Sequence, residues 1–279
     1  PDWVSFFMFT FFTDRDGKMQ LESLAQSGFD PLSRTCRFML TEEAHHMFVG
    51  ETGIQRTIRR TCEAMVEAGI QDPFDVQRIR DLGVLDLPTL QKKANLHYTL
   101  SLDLFGSEIS TNAANAYSAG IKGRFHEDMI NDDHRLVDAT YPTLRLIDGQ
   151  PVWSEESALK TLNMRLRDDY TKDCERGLAR WNKTIVEAGV EFQFSLPHVA
   201  FNRAIGEFAN TETDPDGNVI TREAFEHNRN QWLPSADDGE YIQSLMKPET
   251  AVGRFANWIS PPRVGINKLP GEYEYVKIQ

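Results

Sequence analysis

Hydrophobic residues are densest near the start of the chain, where positions 3–12 read Trp-Val-Ser-Phe-Phe-Met-Phe-Thr-Phe-Phe. At either the helical or the strand period, such a segment would be buried on most sides. The apolar pattern continues through Met19, Leu21 and Leu24 and stops at Ser27-Gly28, which would be unusually long for a strand. We therefore predict a central helix over this part of the chain.

Three further helices are predicted before Gly123. The second follows Asp30-Pro31, where proline suits a first turn, and the third follows Asp86. The predicted ranges are 31–69, 87–106 and 107 to about 122. Helices joined by such short connections predict an antiparallel bundle.

The pattern changes after Gly123. Residues 126–140 are polar and acidic, which is typical of a long loop. Apolar and polar residues then alternate from Thr143 to Trp153 around Asp148-Gly149, which predicts a small β-hairpin. A stripe of apolar residues predicts a long helix from Ser154 to about Gly189. Turn-forming residues recur after Gly189, and the last twenty residues are predicted to be extended.

These elements predict a mainly α protein in two parts. Residues 1–125 are expected to form part of a helical bundle. Residues 126–279 are expected to form a mixed, loop-rich region that contains the hairpin and packs on the bundle. Because the chain enters its most apolar segment directly after Pro1-Asp2, we also expect that the N-terminal part of the bundle is missing from these residues.

Composition narrows the function. The 279 residues carry a formal net charge of −12 without a long Lys/Arg block, which disfavours nucleic acid and anionic membranes as partners. The longest apolar run is far too short to span a bilayer. Cys36, Cys62 and Cys174 are odd in number and far apart, so a disulfide framework is not expected and a reducing, cytoplasmic location is.

The candidate chemistry lies in Thr41-Glu42-Glu43-Ala44-His45-His46. On a helix, Glu43 and His46 project from the same side and can chelate one metal ion, as the Glu-x-x-His units of di-iron carboxylate bundles do. Glu42 and His45 have the same spacing, and the apolar face around Cys36 and Met47 favours Glu43/His46 only moderately. In that register Glu42 and His45 would lie beside the ligands, where such a carboxylate can orient a ligating histidine.

Asp14 strengthens the metal hypothesis. It follows the Phe-rich segment and lies 29 residues before Glu43, enough for two antiparallel helices to bring both carboxylates level. The alternative is a polar turn or cap formed with Asp16 and Gly17; the glycine spacing does not fit an EF-hand. Other groups are weaker candidates: the acidic loop with His126 to His134, His97 as a core histidine, and the basic groups Arg56/Arg59/Arg60 and Lys122/Arg124, which fit CoA phosphates or a solvated face.

The sequence resembles the family of oxygenase components of benzoyl-CoA 2,3-epoxidases. The resemblance is carried by residues 3–18, by Ser27-Gly28-Phe29-Asp30-Pro31-Leu32, by residues 38–52 and by Ser101-Leu102-Asp103-Leu104-Phe105-Gly106-Ser107-Glu108. It is dense over about residues 1–125 and looser beyond. The resemblance implies a ferritin-like di-iron bundle in which each half-site supplies a carboxylate and a Glu-x-x-His. The second half-site then corresponds to Asp14, Glu43 and His46, which selects between the two registers.

The same resemblance implies the activity: epoxidation of benzoyl-CoA with O2, in the degradation of aromatic acids. Electrons would come from NADPH through a separate reductase that contains FAD and an iron–sulfur centre. Glu-x-x-His occurs only at residues 42–46, so the first half-site and its ligands are expected upstream of Pro1, and these residues alone are expected to be inactive. The alternatives are another di-iron acyl-CoA hydroxylase or desaturase, a ferritin-like iron-storage or ferroxidase protein, and a scaffold without metal.

Overall fold

Helices make up most of the protein, and a single hairpin supplies its named strands within the described residues. The structure is a computed structural model that describes residues 2–124, 126–127, 136, 138–251 and 254–263. In chain order the elements are α1 (Trp3–Leu24), α2 (Asp30–Glu67), α3 (Val76–Asp81), α4 (Leu87–Asp103), α5 (Thr111–Ser118), β1 (Thr140–Ile147), β2 (Gln150–Ser157), α6 (Leu162–Glu187), α7 (Arg222–Trp232) and α8 (Ala236–Leu245). The predicted class, mainly α with a small hairpin, is confirmed.

Helix α1 is the central element, as its apolar character predicts. Its N-terminus is capped by Asp2, whose side chain accepts a hydrogen bond of 2.7 Å from the backbone N–H of Ser5, which satisfies one of the free donors at a helix start. The helix packs against α2, α4 and α6. The Phe11 ring lies 4.4 Å from Trp181 of α6, centroid to centroid. Burying such large aromatic surfaces is the main stabilising contribution of this core.

Helices α1 and α2 approach closely because α2 has glycine where they touch. A Cβ atom on Gly50 would lie 2.5 Å from the backbone nitrogen of Phe11 and 2.7 Å from the carbonyl oxygen of Phe7. One turn further along, a Cβ on Gly53 would meet the Phe7 ring at 2.5 Å. The missing side chains therefore let the two backbones come into contact. This contact fixes how the two helices face each other near the candidate site, which lies one turn after Phe11 on α1 and one to two turns before Gly50 on α2.

The helices around α1 differ in one respect from the predicted consecutive bundle. The helix that packs on α1 together with α2 and α4 is α6, and not the predicted fourth helix, α5, which contacts α6. Helix α5 is shorter than predicted because Ser110 caps its start, accepting from the N–H of Ala113 at 3.2 Å, and because Gly120 ends it with φ of 69°. The predicted division at residue 125 stays a prediction, although α6 shares the main hydrophobic core with α1.

The hairpin forms around the predicted turn. Ile147 pairs with Gln150, and the two residues between them, Asp148 and Gly149, have φ of 50° and 75°, as a two-residue hairpin turn requires. The predicted helix start at Ser154 is wrong, because residues 154–157 pair with residues 140–143 in the sheet. Most of the predicted acidic loop and of the predicted extended tail lies outside the described residues.

Two short helices near the C-terminal end of the described chain, α7 and α8, were not predicted. Helix α8 begins with a capping box formed by Ser235 and Asp238, and the buried Asp238 also accepts hydrogen bonds from Arg80 (2.5 Å) and Lys92 (3.0 Å). These contacts fasten the C-terminal region to α3 and α4. Among the described helices, none has the length and apolarity needed to cross a membrane.

Candidate metal centre

Asp14 on α1 and Glu43 and His46 on α2 lie together. One ligand atom from each residue falls within 4.8 Å of the other two. The Nδ1 atom of His46 is 3.5 Å from Oδ2 of Asp14 and 3.7 Å from Oε2 of Glu43. Within the part of the chain that the structure describes, this is the one cluster of His, Cys, Asp and Glu with such spacing. Two carboxylates and an imidazole form a donor set that suits iron and related transition metals.

The two helices place these side chains by simple geometry. Asp14 lies within the continuous helix α1, so the alternative of a polar turn or cap formed with Asp16 and Gly17 is wrong. Glu43 and His46 lie on the same side of α2 because they are three residues apart. That side meets Asp14 of α1. Gly17, one turn after Asp14, lies beside the second carboxylate: a Cβ there would be in ordinary van der Waals contact with Oε1 of Glu43, at 3.4 Å.

The electrostatics of the cluster favour a cation. Burial raises the pKa of Asp14, against the opposing effect of His46. Burial and the neighbouring charge of Asp14 both raise the pKa of Glu43. The Oε2 atom of Glu43 is buried and has no hydrogen-bond partner in the described protein. A buried carboxylate oxygen without a partner is costly, and a bound metal ion would neutralise both acids and satisfy this atom.

The structure separates the two possible registers. Glu42 and His45 are exposed, whereas Glu43 is half-buried and meets Asp14. The Glu42/His45 pair therefore points to solvent, and no hydrogen bond of the described residues joins it to the cluster. That Glu43 and His46 bind the metal, and that Glu42 and His45 assist them, both stay predictions.

A partly buried polar network that includes the buried Asp16 was not predicted from the sequence. The side chain of Gln20 donates to Asp16 at 3.4 Å, and Lys122 donates to Gln20 and to Asn163 at 3.2 and 3.1 Å. Burial raises the pKa of Asp16 to about 7, and the nearby charge of Glu43 acts in the same direction. A sequence signal was present, since Asp16 is a second acidic residue inside a helix predicted to be buried.

The cluster is open on one side, because the side chain of His46 is 48% exposed. The apolar neighbours of Glu43 and His46 on α2 predict a buried pair, and this prediction is wrong for His46, which is exposed. His126 is exposed and lies in a turn, as the predicted polar loop requires; it pairs with Glu22 at 2.8 Å and does not belong to the cluster. Asp128, Asp132, Asp133 and His134 lie outside the described residues.

Comparison with known proteins adds one strong similarity. No family model matches the chain. A protein named benzoyl-CoA oxygenase component B, from Aromatoleum evansii, is 52% identical over 277 residues. The alignment covers 99% of this chain and 58% of that protein, so the chain spans somewhat more than half the length of this relative. The similarity confirms the resemblance that the sequence motifs indicated.

Proposed function

We propose that this chain, which is 52% identical to a protein named benzoyl-CoA oxygenase component B, belongs to the same family and supplies half of a ferritin-like di-iron centre to an oxygenase acting on benzoyl-CoA. The reaction would be epoxidation of the aromatic ring by O2, during the breakdown of aromatic acids. Electrons would come from NADPH through a separate reductase with FAD and an iron–sulfur centre. The observation that carries the proposal is the convergence of ligand atoms of Asp14, Glu43 and His46 within 4.8 Å of one another, where an oxygen of Glu43 is buried and makes no hydrogen bond.

The residues present fit an iron ion. Asp14 and Glu43 offer carboxylate oxygens and His46 offers an imidazole nitrogen, which are the ligand types of non-haem iron. Bound iron would supply the redox chemistry by which O2 is activated. The chain's own part is to hold these three groups in place from two helices, Asp14 from α1 and Glu43 and His46 from α2.

The number of ligands implies a second contribution. A di-iron bundle of this kind uses a carboxylate and a Glu-x-x-His from each of two half-sites. Asp14, Glu43 and His46 make up one such set, and the described residues hold no second cluster. We propose that the remaining carboxylate, glutamate and histidine belong to the protein outside residues 1–279, as the greater length of the relative allows.

Paired histidine variants test the metal assignment. In the complete protein that contains these residues, His46→Ala should lower iron to about one ion or less per chain, because it removes a ligand. His45→Ala is the matched control, since it removes the adjacent imidazole, which points to solvent. Iron is measured by elemental analysis and the fold by circular dichroism. If His45→Ala loses iron and His46→Ala keeps it, the chelating pair is Glu42/His45 and the assignment is wrong.

The substrate is tested separately by consumption of O2 and NADPH. With a suitable reductase present, both should be consumed when benzoyl-CoA is added, and an epoxide of the benzoyl ring should form. An aliphatic acyl-CoA should not replace benzoyl-CoA. Oxidation of iron without consumption of any CoA thioester would instead assign the protein to iron storage or ferroxidase activity.

A further inference from the structure

A buried cation, Arg15, immediately follows Asp14 on α1. Its side chain is 4% exposed, and an arginine is almost never buried in this way unless it is paired. Arg15 does not belong to the cluster of Asp14, Glu43 and His46, and the proposed function gives it no part. A buried guanidinium one residue away from a proposed metal ligand therefore needs an explanation.

The three nitrogen atoms of the Arg15 guanidinium contact three different parts of the protein. Nε donates to Oδ2 of Asp173 on α6 at 2.8 Å, and Nη2 donates to Oε2 of Glu51 on α2 at 3.3 Å. Nη1 donates to the carbonyl oxygen of Phe11, one turn back on α1, at 2.8 Å, and the guanidinium lies 4.0 Å from the centroid of the Phe11 ring. Because the guanidinium is a rigid planar fork, contacts in three directions fix its position.

The contact with Glu51 joins α1 to the helix that carries the other two candidate ligands. Glu51 lies five residues after His46 on α2, about 8 Å along the helix. It directly follows Gly50, where the backbone of α2 touches the backbone at Phe11. The Glu51 carboxylate is also held from α6, by Nη2 of Arg180 at 2.6 Å. The ionic contact therefore lies at the closest approach of α1 and α2.

Asp173 completes the contact from α6. It also pairs with Arg176 at 2.6 Å and with Lys18 at 3.8 Å. Together with Glu51 it gives the buried guanidinium one carboxylate from each neighbouring helix. A buried ion pair is often no more stabilising than apolar side chains of the same volume. Its directed hydrogen bonds do define a geometry, because they weaken when the helices turn or slide relative to one another.

This geometry bears on Asp14 because the two residues are neighbours in one helix. Successive residues of an α-helix are about 100° apart around its axis. Holding Arg15 between Glu51 and α6 therefore sets the rotation of α1, and with it the direction of the Asp14 carboxylate. Distances from a metal ion to its ligands vary by only about 0.2 Å, so a small rotation of α1 is enough to separate Asp14 from Glu43 and His46.

We propose that Arg15 is a positioning residue of the candidate metal centre, which sets the rotation of α1 so that Asp14 meets Glu43 and His46. This inference rests on the proposed function, from which the bound metal ion is taken. Arg15 touches neither the metal ion nor the substrate in this role and acts through Asp14. Loss of a group that orients metal ligands typically costs about 10–100-fold in metal affinity, which is the size of the effect to be measured.

The test titrates Co²⁺ into the complete, metal-free protein and follows its visible absorption, whose bands report the arrangement of ligands around the ion. Arg15→Lys keeps the positive charge but cannot make the three directed contacts. The matched control is Arg203→Lys. Arg203 is also buried, and it donates to Asp103 at 2.7 Å and to the backbone carbonyl oxygens of Val199 and Ile205. Urea titrations measure the loss of stability in each variant.

We expect Arg15→Lys to raise the dissociation constant for Co²⁺ about tenfold or more and to shift the visible bands. Arg203→Lys should stay within about twofold of the wild type, with unchanged bands, at a similar loss of stability. Glu51→Ala removes only the partner on α2 and should also raise the dissociation constant, so it decides the question if Arg15→Lys does not fold.

Two results would overturn the positioning role and leave the proposed metal centre intact. One is wild-type Co²⁺ affinity in folded Arg15→Lys or in Glu51→Ala. The other is an equal loss of affinity in Arg203→Lys, which would show that the effect follows stability alone. Wild-type protein that binds neither Co²⁺ nor iron would overturn the proposed metal centre and the role of Arg15 together.

Discussion

The close contact between α1 and α2 makes Gly50 a sensitive position for both fold and site. The substitution Gly50→Ala adds one methyl group where the nearest atoms are the backbone nitrogen of Phe11 at 2.5 Å, the hydroxyl of Thr10 at 2.6 Å and the backbone carbonyl oxygen of Phe7 at 2.7 Å. Two of these atoms belong to the helix backbone and cannot turn away as a side chain can. The helices must separate to admit the methyl group.

The expected magnitude follows from two opposing effects. Overpacking of a well-packed contact costs about 1–3 kcal/mol, occasionally more, and the backbone clash places Gly50→Ala at the upper end. Replacing glycine by alanine inside a helix returns about 1 kcal/mol. The net loss is about 2 kcal/mol, which for a domain of this size lowers the melting temperature by roughly 4–8 °C. Gly53→Ala should cost less, because the obstacle there is the ring of Phe7, which can shift.

Thermal melts of Gly50→Ala, Gly53→Ala and Gly239→Ala test this reasoning. Gly239 lies in helix α8, and a Cβ atom there would meet nothing within 4 Å, so its substitution should stabilise by about 1 kcal/mol. Iron content of the complete protein gives a second readout, because separating α1 from α2 moves Asp14 away from Glu43. A Gly50→Ala variant as stable as the Gly239→Ala control would refute the claim that this contact is tight.

Three further outcomes are expected. Burial raises the pKa of Asp16 to about 7. Metal-free protein should therefore lose up to about 4 kcal/mol of stability between pH 4 and pH 7, because over this range Asp16 ionises in the unfolded chain but stays protonated in the folded one. In urea titrations, the free energy of unfolding of Asp16→Asn should depend less on pH. Glu108→Gln leaves the buried Arg167 and Arg203 without a shared carboxylate and should cost about 3 kcal/mol. The control Glu156→Gln breaks a partly exposed pair with Arg145 and should cost less, about 1 kcal/mol, in the same titrations. Residues 1–279 expressed alone should bind less iron than the complete protein by elemental analysis, and full di-iron loading would contradict the ligand count.

Features that depend on local sequence could be predicted well. The apolar run of α1, the proline at the start of α2 and the Asp148-Gly149 turn act through neighbouring residues. The grouping of Glu43 with His46 depends only on their spacing along one helix. Placing Asp14 beside them required only that two consecutive helices run antiparallel, which a short connection imposes.

Features that depend on distant contacts could not be predicted. That α6 rather than α5 packs on α1 is decided by partners such as Trp181, which lies 170 residues after Phe11 in the sequence. The contacts of the basic residues near positions 56 and 122 could not be predicted for the same reason. Lys122 is partly buried and donates to Gln20 at 3.2 Å, and Arg56 donates to the backbone of Ser260 at 2.7 Å.

The openness of the metal cluster and the exposure of aromatic side chains near the start of α1 have a common explanation. Trp3, Phe6 and Phe9 are each about half exposed. A row of exposed aromatic side chains usually marks a contact surface. Trp3 and Asp14 are eleven residues apart, about three helical turns, so both lie on the same side of α1. An element that covered these rings would therefore extend over Asp14 and His46. On the proposed function, the part of the protein that brings the remaining iron ligands must approach this same side, and its packing would bury the aromatic row and close the centre to water together.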